Sequence, residues 1–230
     1  MAKTFDYSGL IFKIIYKIRM KFNLRVTSYL VLLKMRLHGV TVGSSVKFIG
    51  FPMVRREPGS SIIFGDNCRF NSSRNSVRIG QFKPCTFATI SKDAEIVFGS
   101  NSGATGVTMA AVTSIRIGNN VMIGSNCTIV DNDFHNPDPA EREMTTYPSR
   151  PVVIRDNVFL GFNCFVLKGV TIGENSVIGA NSVVVTNIPP NSIAMGNPCK
   201  VIMRRNWTGS PEKDPPEGQS TSGEETAKQG

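Results

Sequence analysis

Histidine is almost missing from this sequence: His38 and His135 are the only two among 230 residues. That leaves too few for a zinc centre built on three histidines, and no metal is expected. Cysteine is present without a pattern. There are five, an odd number, and no C-x-x-C pair, so neither a disulfide framework nor a zinc ribbon is indicated. The natural reading is reduced packing residues in a cytoplasmic protein. No run of eighteen apolar residues occurs, so no segment reads as a membrane-spanning helix. No small-residue cleavage site follows a clean apolar core, and no secretory signal is assigned. Acid is nearly absent from the first fifty residues, where nine Lys and Arg face Asp6 alone. Beyond residue 50, 17 basic and 16 acidic residues nearly balance. The net charge of +9 therefore belongs to the N-terminus. A nucleic-acid reader would carry it over the folded face, and no nucleic-acid partner is expected.

What is present is a repeat. Ile154, Leu160, Val166, Ile172, Ile178 and Val184 recur every sixth residue, with Gly161, Gly173 and Gly179 directly after three of them. Four residues after an aliphatic comes a small or slim one: Val158, Cys164, Val170, Ser176 and Ser182. Asn157, Asn163, Asn175 and Asn181 precede four of these, and Asn tolerates the left-handed backbone of a tight corner. A fixed six-residue period is neither helix nor simple strand. It predicts a parallel β-helix, each hexad being one strand and one turn, three to a coil. Stacked coils bury one continuous column that no single coil could bury alone.

Ahead of the repeat, residues 8–23 read as an amphipathic helix with Ile11, Ile14, Ile15, Ile18 and Phe22 on one face and Lys13, Lys17 and Lys21 on another. A second helical segment carries Leu30, Leu33 and Leu37. Two roles are open for this stretch: lying on an anionic membrane surface, or capping the first coil, whose end must be covered. The expected division is residues 1–40 as a helical segment, 41–205 as the β-helix with a loop at 131–150, and 206–230 as a disordered tail of Gly, Ser, Pro, Glu and Lys. The hexads start at Val42-Gly43 and Phe64-Gly65, lose phase between 71 and 116, and sharpen again at Ile117, Ile123 and Ile129. Ile129 and Ile154 are 25 residues apart, which reads as a coil of eighteen plus seven. Extra residues therefore project within Asp131–Arg150, and a loop held on a rigid scaffold is where chemistry usually sits.

Over Ile117–Ile202 the sequence resembles the hexapeptide-repeat acyltransferases. The residues carrying this are the hexads, the Asp131-x-Asp133-Phe134-His135 element, Arg142, and the closing Gly196-Asn197-Pro198-Cys199-Lys200-Val201-Ile202. The nearest likeness is to galactoside- and maltose-type O-acetyltransferases and to sugar O-acetyltransferases of capsule and lipopolysaccharide synthesis. The resemblance implies an all-β fold, a left-handed parallel β-helix, assembled as a homotrimer with active sites in clefts between neighbours. It implies acetyl-CoA as acyl donor and a sugar or glycan acceptor in bacterial surface polysaccharide synthesis. His135 matches the family histidine. An imidazole within reach of a hydroxyl can take its proton as it attacks a thioester, and Asp133, Asp131 or a main-chain carbonyl could orient the ring. The donor positions carried over are Phe159, Gly161, Phe162, Ala180, Val185, Thr186, Lys200 and Arg204. The Thr-Lys pair of the family appears as Val185-Thr186, and its final Arg as Met203. Lys168, Lys200, Arg204 and Arg205 are then the cations available to the donor phosphates. Gly161 and Ala180 would let a thin arm pass close to the backbone. Arg142 and Tyr147 are candidate acceptor contacts. The expected location is the cytoplasm, peripheral to the inner membrane face. Two other readings stay open: an N-acyltransferase on an amino-sugar nucleotide, and a non-catalytic β-helix scaffold.

Overall fold

The computed structural model describes residues 7–73, 80–136, 138–142 and 148–204. Its body is a triangular prism wound as a left-handed parallel β-helix. Face 1 stacks β1 (Thr41–Val42), β4 (Ser61–Phe64), β7 (Glu95–Phe98), β10 (Ser114–Ile117), β13 (Val152–Ile154) and β16 (Thr171–Ile172). Face 2 stacks β2 (Lys47–Ile49), β5 (Arg69–Asn71), β8 (Gly103–Thr105), β11 (Met122–Ile123), β14 (Phe159–Leu160) and β17 (Val177–Ile178). Face 3 stacks β3 (Met53–Arg55), β6 (Thr86–Thr89), β9 (Thr108–Ala111), β12 (Thr128–Val130), β15 (Phe165–Val166) and β18 (Val183–Val184). Each coil thus takes one strand from each face. A hairpin of β19 (Ser192–Gly196) and β20 (Cys199–Arg204) closes face 2 with its one antiparallel pairing among the described strands.

The hexad aliphatics all point inward, from Ile154 to Val184, and are buried, as are the small residues at the corners. The corner asparagines hold the left-handed backbone that the sequence predicts, with φ between 56° and 66° at Asn120, Asn126, Asn157, Asn163, Asn175 and Asn181. They also bond to one another. Asn120 donates to Asn157 at 3.1 Å, Asn157 to Asn175 at 2.9 Å and Asn175 to Asn191 at 2.9 Å, a ladder along the edge between faces 1 and 2. On the edge between faces 2 and 3, Asn163 donates to Asn181 at 3.0 Å. Each amide so satisfies the one stacked on it.

The blurred region has two causes. Residues 72–85 separate β5 from β6, so Phe70 and Phe87 are neighbours in space but not in sequence. In the third coil the step from Ala104 to Met109 is five residues, and from Met109 to Ile117 it is eight. Ile96 and Phe98 fall in β7, whereas Ile90 follows β6 and Gly80 lies outside any strand. Ile79 is outside the described residues. The core here is aromatic: Phe64, Phe70 and Phe87 fill all three faces of one coil, with ring centroids 4.7, 5.0 and 5.3 Å apart. Phe48 stacks above Phe70, and Ala104 lies below it, the small residue leaving room for the ring.

Two expectations are corrected. The N-terminal segments form one helix, α1 (Tyr7–Leu37). Its C-terminal part is a cap. Val31 and Met35 are buried, and the Ser28 hydroxyl accepts from the Phe48 N–H at 3.0 Å and donates to the Phe48 carbonyl at 2.8 Å, in place of a missing coil. Along its N-terminal part Phe12 is 73% exposed, and Leu10, Ile11, Ile14, Ile15, Ile18 and Phe22 are exposed too. The second correction concerns the gap after Ile129. β12 and β13 are consecutive strands of the prism, with no coil between them. Residues 131–150 all belong to the connection between these two strands. Residues 205–230, most of which were expected to be disordered, lie outside the described residues.

Candidate active site

The loop is fastened at its root before it reaches His135. Asp131 ends β12 with 0% of its surface exposed. Its carboxylate accepts from the backbone N–H groups of Val112 at 2.8 Å, Thr113 at 2.7 Å and Ser114 at 2.7 Å, and from the Thr113 hydroxyl at 2.8 Å. These donors lie one coil earlier, where the chain turns from face 3 to face 1. Asn132 donates to the Ala110 carbonyl at 3.3 Å and forms an antiparallel bridge with Ser149 at the returning end. Asp133 pairs with Lys168, one coil later. Three successive side chains thus fix the loop to three coils. Phe134 then takes φ +60°, uncommon for a bulky residue, with its N–H donating to Asn132 Oδ1 at 2.9 Å. Strained backbone of this kind is kept where the surroundings over-determine it, and His135 is the next residue.

His135 is exposed, with Nδ1 3.4 Å from the main-chain carbonyl of Arg142 across the loop. A proton on Nδ1 donates to that carbonyl and leaves Nε2 as the free base. Of the three orienting groups expected, the carbonyl is the one seen. Asp131 and Asp133 do not serve His135, because the first is enclosed by backbone donors and the second is paired with Lys168. Their place is beneath the histidine, positioning the loop. Substituting Asp131 by Ala leaves buried N–H groups without an acceptor, at about 1–3 kcal/mol for each unsatisfied donor. With three backbone donors affected, the expected result is a loss of about 3 kcal/mol or more in stability by chemical denaturation. Asp131→Asn, which keeps an acceptor oxygen, should lose less; an Ala variant as stable as the parent would show the loop is held by something else.

The donor candidates fall into two groups. On the edge between faces 2 and 3, half-buried Phe162 and exposed Ala180 lie in adjacent coils, beside the Asn163–Asn181 bond. Exposed Lys200 lies in the closing hairpin, opposite Met195, and that hairpin reaches the same edge where the Gly196 N–H donates to Ser182 Oγ at 3.1 Å. On the edge between faces 3 and 1 stand exposed Val185 and Thr186, with Lys168 and the loop. Phe159 projects from the middle of face 2 and is exposed. A Cβ at Gly161 would sit 2.6 Å from the Ala180 amide nitrogen, so the coil stacked on it itself requires glycine there. Lys168 is likewise engaged by Asp133 and is not free for a phosphate. Of the remaining cations, Lys200 is described; the Arg204 side chain, Arg205 and the acceptor candidate Tyr147 lie outside the described residues.

Residues not anticipated in the sequence also reach this edge. Phe82, in the 72–85 excursion, meets Phe162 edge-to-face at 6.3 Å. Lys83 reaches Thr128 Oγ1, 3.0 Å from its Nζ. The only sequence signal was the loss of phase itself. The thiols offer no nucleophile. Burial pushes the Cys68, Cys85 and Cys199 thiols up, Cys127 is raised first by the hydrogen bond it shares with Cys164, and Cys164, drawn down to about 7 by that bond, is as enclosed as the rest.

Residues 151–186 match the bacterial transferase hexapeptide family (six repeats), and residues 114–130 match the hexapeptide repeat of succinyl-transferase. The chain resembles the hexapeptide-repeat acyltransferases. It is 44% identical over 100 residues to the galactoside O-acetyltransferase of Lactococcus lactis, covering 44% of this chain and 48% of that one. It is 41% identical over 95 residues to the galactoside O-acetyltransferase of Escherichia coli, covering 40% of this chain and 45% of that one. The matches thus span about half the length of these relatives. In fold it is similar to AntD, an N-acyltransferase from Bacillus cereus solved with dTDP and 3-hydroxybutyryl-CoA, with a TM-score of 0.59 at 19% identity over 76% of this chain and 88% of that one.

Proposed function

We propose that this protein is an acyltransferase that moves an acetyl group from acetyl-CoA to a sugar hydroxyl, as part of bacterial surface polysaccharide synthesis. The observation that carries the reading is the histidine held by a main-chain carbonyl on a loop rooted in three coils. His135 Nε2 takes the proton of the acceptor hydroxyl as its oxygen attacks the thioester carbonyl. The tetrahedral oxyanion needs a donor such as a main-chain N–H. As the C–S bond breaks, the imidazolium returns the proton to the sulfur. An ester forms, a thioester is lost, and one free thiol, CoA-SH, appears per ester. Phe162, Ala180 and Lys200 along one edge suit the donor: a flat apolar track for the pantetheine arm, and a cation beyond it for phosphate. Phe159, Val185, Thr186 and Arg204 remain candidate donor contacts, and Arg142 and Tyr147 candidate acceptor contacts. Because His135 and Ala180 are on different edges of one prism, a homotrimer would complete the site by joining the edge of one protomer to that of the next. Free-thiol release from acetyl-CoA across a panel of sugars tests the reading; no acceptor-dependent release with any sugar would overturn it.

We further propose that residues 1–40, 41–205 and 206–230 are separate functional parts, the first serving two ends. Its last turns cap the prism. Its projecting part lies on an anionic membrane surface, on the inner face of the cytoplasmic membrane. Ile11, Ile14, Ile18 and Phe22 are exposed there, Lys13, Lys17 and Arg25 accompany them, and α1 contains no acid. No helix among the described residues is long and apolar enough to cross a membrane. The protein should co-sediment with vesicles containing phosphatidylglycerol and not with pure phosphatidylcholine. Ile14→Asp with Ile18→Asp should lower that binding tenfold or more without changing the thermal transition, since neither side chain touches the prism. Equal binding to both vesicle types, or by the double variant, would exclude the surface role.

A further inference from the structure

The excursion 72–85 ends in a polar cluster whose bonding capacity is unfilled. Gln81 is 5% exposed. Its amide nitrogen donates to the carbonyls of Asn71 at 3.0 Å and Lys83 at 2.8 Å, which fixes the orientation of the group. Its Oε1 has no partner, the one such buried side-chain oxygen or nitrogen among the described residues. A buried acceptor left so is costly unless something donates to it. Next to it, Lys83 is half-buried, and burial lowers its pKa. Its ammonium meets only the Thr128 hydroxyl, and among the described residues no carboxylate pairs with it. An ammonium has three donors to fill, and a half-buried cation without an anion invites one. The segment itself is pinned. The Phe82 N–H donates to Asn126 Oδ1 at 3.0 Å, and Asn126 Nδ2 donates to the Gly80 carbonyl at 3.1 Å.

The position of the cluster says which ligand it serves. The edge track over Ala180 and Phe162 leads, towards the earlier coils, onto Phe82 and then Lys83. Lys83 meets the first residue of β12, and the His135 loop leaves from just beyond the last. Both therefore stand at the level of the fourth coil.

We propose that Lys83, with Thr128, forms an acceptor subsite for a sugar bearing an anionic group, a phosphate or a carboxylate. The anion takes the Lys83 ammonium and the Thr128 hydroxyl. Lys83 touches the acceptor and sets specificity; it takes no part in proton transfer. This rests on the transferase reading, and the test separates the two.

The first arm is binding without turnover. Titration calorimetry with galactose 1-phosphate, galacturonate and galactose should give the two anions at least tenfold tighter binding than galactose. Lys83→Met, which keeps the stem and removes the charge, should abolish that advantage. The second arm is turnover. With acetyl-CoA as donor, Lys83→Met should raise KM for the anionic acceptors tenfold or more, leaving kcat and the KM for galactose and for acetyl-CoA within about twofold. The ratio between the two anions tells a phosphate site from a carboxylate site. Equal binding of anionic and neutral sugars by the parent protein, or an unchanged preference in Lys83→Met, overturns the subsite. A Lys83→Met effect on acetyl-CoA alone also overturns it, by assigning the cation to the donor. Failure of turnover with the binding result intact would instead count against the transferase reading.

Discussion

His135→Ala should lose acceptor-dependent thiol release by a hundredfold or more, the scale of general-base catalysis. A hundredfold corresponds to about 2.7 kcal/mol of transition-state stabilisation. The ring is exposed and, among the described residues, bonds only to the Arg142 carbonyl, so its removal should leave the prism and its thermal transition intact. KM for acetyl-CoA should hardly move, because the imidazole acts on the acceptor's proton and not on donor binding. His135→Gln offers a hydrogen bond without a base near neutral pH and should be as inactive as Ala. A His135→Ala rate equal to the parent rate, with folding unchanged, would remove the histidine from the mechanism.

Phe70→Ala should be among the most damaging changes to stability, at about 3–5 kcal/mol. Phe70 is fully buried between Phe48 in the coil before and Ala104 in the coil after, and it meets Phe64 and Phe87 within its own coil. Truncation removes the area buried by one ring, its aromatic contacts, each worth about 0.5–1.5 kcal/mol beyond burial, and the filling of the widest cross-section. Collapse is hindered because the neighbours hang from a rigid ladder of short strands. Ala104, directly below, cannot reach into the space. Denaturant titration of the parent and the variant checks the loss. Ala104→Leu in the Phe70→Ala background should recover part of it, since the two positions share one column. A loss below about 1 kcal/mol would mean that the aromatic coil adapts as a flexible core does.

How far the sequence could be read depended on whether each coil kept its own count. From Ile154 to Val184 every edge spans six residues and every small corner residue is where it should be, so faces, corners and left-handed asparagines were all legible. Between 71 and 116 the rule is obeyed in space and not in numbering. The 72–85 excursion separates Phe70 from Phe87, and the five-residue step at Ala104–Met109 is offset only at the next edge. Phenylalanine in the aliphatic slot further hid the pattern. The loop histidine was legible because it sits where the repeat stops. What orients it was not. Asp131 is adjacent in sequence but bonds to Val112–Ser114 one coil below, and the ring instead meets a carbonyl seven residues on. Nor could the hexad pattern connect Lys83 with Thr128, 45 residues away, which its ammonium meets in space.

The hydroxyl of Ser28, occupying the N–H and carbonyl of Phe48, has a meaning for the protein in a crowded cell. A stack of parallel strands is a template: whatever docks on its last rung presents the same rung again, and growth need not stop. Here face 2 is terminated at both ends, by a serine of α1 at one and by the reversed strand β20 at the other. The prism is thereby a counted object and not the seed of a fibre. The same helix that reaches outward with its first half prevents, with its second, the end-to-end polymerisation to which this architecture is prone.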